Sequence, residues 1–95
     1  MKGGWVYIMT NRRNGTLYIG VTSDLVRRVW EHREELAEGF TKRYGLKRLV
    51  HAERYDDIRD VIQREKNLKR WPRAWKLTLI GRNNPSWDDL YASLT

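Results

Sequence analysis

A chain of 95 residues is expected to form one small domain spanning 1–95, and 40% hydrophobic residues with five Trp, five Tyr and one Phe argue for a packed core over disorder. Nineteen Lys and Arg against twelve Asp and Glu leave a net charge of +7, which makes a polyanion the natural partner without separating cutting from holding. With no cysteine there is no disulfide framework, thiolate zinc site or cysteine nucleophile, and no apolar run has signal-peptide or membrane-span length, so a cytoplasmic location and no membrane partner are expected.

No internal repeat, low-complexity tract or Pro/Gly/Ser linker interrupts the chain. Residues 5–10 and 16–21 are rich in β-branched and aromatic types, and Asn14-Gly15 between them is a strong hairpin signal. A two-residue turn there would set Arg13 opposite Thr16, pair odd positions with even ones, and put Tyr7 and Tyr18 on one face; a longer loop could shift the register. Thr22-Ser23-Asp24 offers caps for a first helix, whose apolar stripe runs through Leu25, Val29 and Leu36 until Gly39 stops it. A third strand is expected at 48–55, and a second helix after Asp56-Asp57 that runs toward Lys69 and is limited by Pro72. Residues 73–80 read as a further short helix, with the last four equally compatible with strand. Asn83-Asn84-Pro85-Ser86 reads as a turn before a last helical turn.

Some polar residues sit where packing alone would not place them. On the second helix Ile58, Val61, Ile62 and Leu68 form one stripe and Glu65 falls inside it, so its carboxylate needs a cation, a metal or a cleft open to water. On the first helix Arg28 and His32, four apart, lie along the edge of the stripe, while Arg27 projects into solvent. A lone His beside such a stripe is commonly a packed residue, and His51 in the third strand is read as structural. Gly20 inside a strand marks a place where a ligand or another backbone comes close. With Tyr7, Tyr18, Arg28, His32 and Glu65 it suggests a phosphate site; no His/Asp/Glu spacing typical of zinc is present.

These residues resemble the GIY-YIG endonucleases. Trp5-Val6-Tyr7 stands where the family has Gly-Ile-Tyr, Tyr18-Ile19-Gly20 matches the second triplet, and Arg28 and His32 follow at the spacing of the family's arginine and histidine. Glu65 is similar to the metal-binding glutamate, and Asn84 before Pro85 to the late asparagine. Length and the ending Asn-Pro-Ser-Trp-Asp-Asp-Leu are most similar to small stand-alone bacterial members. The resemblance implies an α+β fold in which helices flank a small central three-stranded antiparallel sheet. It also implies hydrolysis of phosphodiester bonds in nucleic acid, DNA first with RNA open, structured or single-stranded, in a repair or recombination setting. Glu65 would hold one divalent metal, Mg2+ or Mn2+, and Arg28 would meet charge growing on the phosphate. Tyr18 assisted by Tyr7, or His32, would serve as base, with Asn84 orienting a group or water and Gly20 close to phosphate. Lys42, Arg43, Lys69 and Arg70 are candidate nucleic-acid contacts. The alternative is a basic binding module that keeps the fold, does not cut, and recruits a partner.

Overall fold

The computed structural model describes residues 3–37 and 39–94. Strands β1 (Gly4–Thr10), β2 (Leu17–Thr22) and β3 (Arg48–Tyr55) form one antiparallel sheet in the order β2-β1-β3. Helices α1 (Leu25–Arg33) and α2 (Phe40–Tyr44) link β2 to β3, and α3 (Ile58–Arg70) and α4 (Arg73–Asn83) follow β3. A 3-10 turn at Leu90–Leu94 ends the described chain. The expected α+β architecture is therefore present.

The hairpin forms, but through a wider loop than Asn-Gly alone suggests. Thr10 and Leu17 are the last residues paired across it, and Arg13 does not oppose Thr16. Asn14 adopts the left-handed conformation at φ 54°, and the Gly15 N–H donates to the Arg12 carbonyl at 2.9 Å. Asn11 Oδ1 accepts from the Thr16 N–H, and the Thr10 hydroxyl donates to the Thr16 carbonyl, so two polar side chains hold the loop open. Odd still pairs with even: Tyr7 faces Gly20 and Met9 faces Tyr18, which leaves Tyr7 and Tyr18 on one side of the sheet.

Both faces of the sheet are covered, which is why central β1 is buried almost throughout. On one face Val6, Ile8, Ile19 and Val50 meet Val61 and Leu68 of α3 and Ile80 of α4. On the other, Tyr7, Met9 and Leu49 meet Leu25 and Val29 of α1, with Leu46 closing the layer. The α3 stripe is narrower than its spacing implies, because Ile62 sits at the edge of the interface and is exposed.

Helix α1 ends earlier than expected. Asp24 caps its start by accepting from the Arg27 N–H, but the helix stops at Arg33, well short of Gly39. Glu35 turns left-handed at φ 58°, its N–H donates to the His32 carbonyl, and the Leu36 N–H reaches back to the Glu31 carbonyl. This is a Schellman ending with glutamate at the position glycine usually takes, and it puts Leu36 in solvent instead of on the core stripe. Residues 73–83 are helical throughout.

The two edges of the sheet differ. At β3 the segment after α4 wraps from one face to the other: Trp87 joins the core under α3 and α4, while Leu90, Tyr91 and Leu94 pack on the core under α1. Asp89 fixes the crossing by accepting from the Leu49 N–H and from Arg33. Edge strand β2 instead borders an open cleft.

Candidate active site

On the α1 side of the sheet, Tyr7 is fully buried and its hydroxyl lies 2.8 Å from His32 Nε2. The other ring nitrogen, Nδ1, lies 2.9 Å from the Thr41 hydroxyl, so both edges of the imidazole are engaged and its surface is only 2% exposed. Burial, with help from the positive charge of Arg28, holds the His32 pKa down to about 4, and the ring is neutral at neutral pH. Burial also pushes the Tyr7 phenol up to about 12, against the opposing influence of Arg28. A neutral imidazole has one donor and one acceptor, so Tyr7, His32 and Thr41 form a directional chain in which each tautomer makes one hydroxyl the donor to the ring and the other the acceptor from it.

Gly20 explains how the tyrosines fit. A Cβ there would come within 2.5 Å of the Tyr7 hydroxyl oxygen and 2.8 Å of a Tyr18 ring carbon. The close approach over this glycine is made by the two tyrosine rings themselves. Tyr18, half-buried, is ringed by Tyr7 at 6.2 Å, His32 at 5.6 Å and Phe40 at 6.4 Å between centroids.

Arg28 leaves α1 on the same side with its side chain 37% exposed, and Glu31, one turn on, accepts from it at 3.2 Å. Arg27 points outward, as expected from its position, and reaches the far oxygen of Glu31 at 3.6 Å. On α3 the Glu65 side chain is 19% exposed and pairs with Lys69 at 3.5 Å. Lys69 in turn lines a cleft of about 270 Å³ with Leu17, Tyr18, Ile19, Phe40 and Lys76. Successive residues of a strand face opposite sides, so a cleft lined by three in a row must straddle the β2 edge. That is how α3, which packs on the far face, shares a cleft with Tyr18.

A family model described as the GIY-YIG catalytic domain matches residues 3–78. The chain belongs to the GIY-YIG family. A UPF0213 protein of Syntrophus aciditrophicus is 36% identical over 84 residues, covering 87% of this chain and 95% of its own. Another from Natronomonas pharaonis is 36% identical over 76 residues, covering 80% and 88%. The solution NMR structure of a UPF0213 protein from Bacillus halodurans shares the fold, with a TM-score of 0.59, 24% identity and 92% of each chain covered.

The GIY-YIG match spans Tyr7, Tyr18, Gly20, Arg28, His32 and Glu65 and ends before Asn84. The fold gathers Tyr7, Tyr18, His32 and Arg28 on one face, whereas Glu65 stands on α3, on the other side of the sheet, and is linked to the cleft that Tyr18 lines only by its pairing with Lys69. Asn84 is held elsewhere: its amide donates to the carbonyls of Val50 and Asp88 and its oxygen accepts from the Asp88 N–H. Lys42, Arg43, Lys69 and Arg70 are all exposed. His51 sits 2.7 Å from Glu53, which also accepts from Arg64 and Tyr55. Burial would raise the Glu53 carboxyl, but these donors outweigh it and hold it well below the usual range. This is an ion cluster under α3 that ties the helix to β3. Glu31, Thr41, Phe40 and Lys76 were not signalled as site residues. Glu31 had the i,i+3 spacing to Arg28 as a clue, whereas Thr41 and Phe40 lie in a stretch with no readable periodicity.

Proposed function

We propose that this GIY-YIG protein is a metal-dependent endonuclease that hydrolyses phosphodiester bonds in nucleic acid, DNA first. The observation that carries the reading is the convergence of Tyr7, Tyr18, Arg28 and His32 on one face, with Tyr18 opening onto a cleft that also holds Lys69, the partner of Glu65. The donor chemistry fits a hard divalent cation: Glu65 offers a carboxylate whose ion pair is long and partly solvated, leaving oxygens available to Mg2+ or Mn2+ with water and phosphate as the other ligands. A cation bound there would neutralise phosphate charge and stabilise the leaving oxygen.

Burial supports a division of the remaining roles. Tyr7 and His32 are closed to solvent and bonded to one another, so in this reading neither meets substrate directly and both support Tyr18 through ring packing. Tyr18 is the phenol that lines the cleft, and in its phenolate form it would take the proton of the attacking water. Arg28, oriented by Glu31, presents a planar donor fork to charge developing on the phosphate.

The test is a cleavage assay over labelled single-stranded, duplex, flap and junction DNA and RNA with magnesium or EDTA. Arg28→Ala and Glu65→Ala should each lower magnesium-dependent nicking by at least about 100-fold while circular dichroism stays unchanged. Salt-sensitive binding by wild type with no cutting on any substrate would replace the enzyme reading with the non-cleaving binding module.

A further inference from the structure

The cleft at the β2 edge has two unlike walls. One is aromatic: the Phe40 ring follows Tyr18 at 6.4 Å with its plane tilted by 26°, and Tyr44 follows Phe40 at 4.7 Å. Phe40 is 45% exposed. Nearly half of this apolar ring side chain meets water, a cost in hydration that a ligand would relieve. The Arg43 guanidinium sits over Tyr44 at 5.5 Å, adding positive charge to the end of the row. The other wall is cationic, with Lys69 from α3 and Lys76 from α4. From Lys66 to Trp87 the chain has no acidic residue, so Lys76 meets no carboxylate on its own helix and donates only a long bond to the Lys69 carbonyl at 3.5 Å, while Lys69 also pairs with Glu65.

A flat apolar ring beside two ammonium groups fits a ligand that is itself flat on one side and anionic on the other. The geometry points to a seat for one unstacked nucleobase, its face against Phe40 and its flanking phosphates on Lys69 and Lys76. The inference rests on the nucleic-acid reading above and sharpens it: the nucleotide beside Tyr18 is single-stranded or flipped out. In a continuous duplex both faces of each base are already stacked, so none is free for Phe40.

The test measures binding by the full chain in EDTA, so that no cleavage intrudes. Its probes are a fluorescent oligothymidylate and a long continuous duplex without loop or overhang, with a 2-aminopurine strand as reporter of stacking. Phe40→Leu keeps apolar bulk without a ring face and, at an exposed position, should leave the thermal melt unchanged. It is expected to weaken single-strand binding roughly tenfold and to abolish 2-aminopurine quenching, with duplex affinity changed less than about twofold. Phe40→Trp should retain both signals. Lys76→Gln is chosen because Lys69 also pairs with Glu65; it should reduce the salt slope of single-strand binding by roughly 0.7. If Phe40→Leu leaves single-strand affinity intact, or weakens strand and duplex equally, the seat is overturned while the nuclease reading stands. If wild type binds neither probe, the nucleic-acid reading falls and the seat with it.

Discussion

At the scale of single residues, the His32 imidazole shows how burial decides chemistry. An imidazole in the unfolded chain titrates near 6.5, whereas in the fold burial holds His32 at about 4. Between those values the unfolded state binds a proton that the folded state does not. Stability is therefore complete above about pH 6.5 and is lost as pH falls toward 4, by up to about 3 kcal/mol. The urea midpoint of wild type should fall between about pH 7 and pH 5, and His32→Gln should flatten that slope at the cost of lower stability at neutral pH. A wild-type profile that is flat over this window would remove the buried neutral imidazole. The same burial explains what the sequence could and could not show about the site. Tyr7, Tyr18, Arg28 and Glu65 were legible as candidates because a motif or a stripe marks them. Thr41 was not, because its role exists only through a contact with His32 nine residues away across an irregular segment.

At the scale of elements, strands and long helices were readable from periodicity and caps, as β3 and α3 show, with Asp57 capping α3 by accepting from the Arg59 N–H. The boundary furthest from its expected place was the end of α1, and its reason is local. The left-handed ending falls on Glu35, a residue type that gives no stop signal, while Gly39 beyond it, at φ 91°, precedes α2. Since a side chain in that conformation costs about 1 kcal/mol, Glu35→Gly should stabilise the protein by about 0.5 to 1 kcal/mol. The Lys47–Glu35 pair that would be lost is half exposed at 3.4 Å and contributes little. A higher urea midpoint at unchanged slope is the expected result, and equal or lower stability would show that Glu35 is held there by something other than the Schellman turn.

At the scale of the molecule, one edge of the sheet is closed and the other is open, and Asn84 belongs to the closed one. Its side chain fastens the end of α4 to β3 and to the start of the wrapping segment, and both of its amide hydrogens are used in doing so. Removing it would leave the buried Val50 carbonyl and the part-buried backbone of Asp88 without their partner, while the tyrosine face and the β2 cleft are built from other elements. Asn84→Ala should therefore cost roughly 1 to 3 kcal/mol of stability, seen as a lower melting midpoint. Single-turnover nicking of the folded protein at low temperature should change less than about threefold. A catalytic asparagine would give the reverse pattern, an intact melt with activity lost. The two outcomes separate a residue that supports the domain from one that touches substrate, a distinction that its position before Pro85 in the sequence could not make.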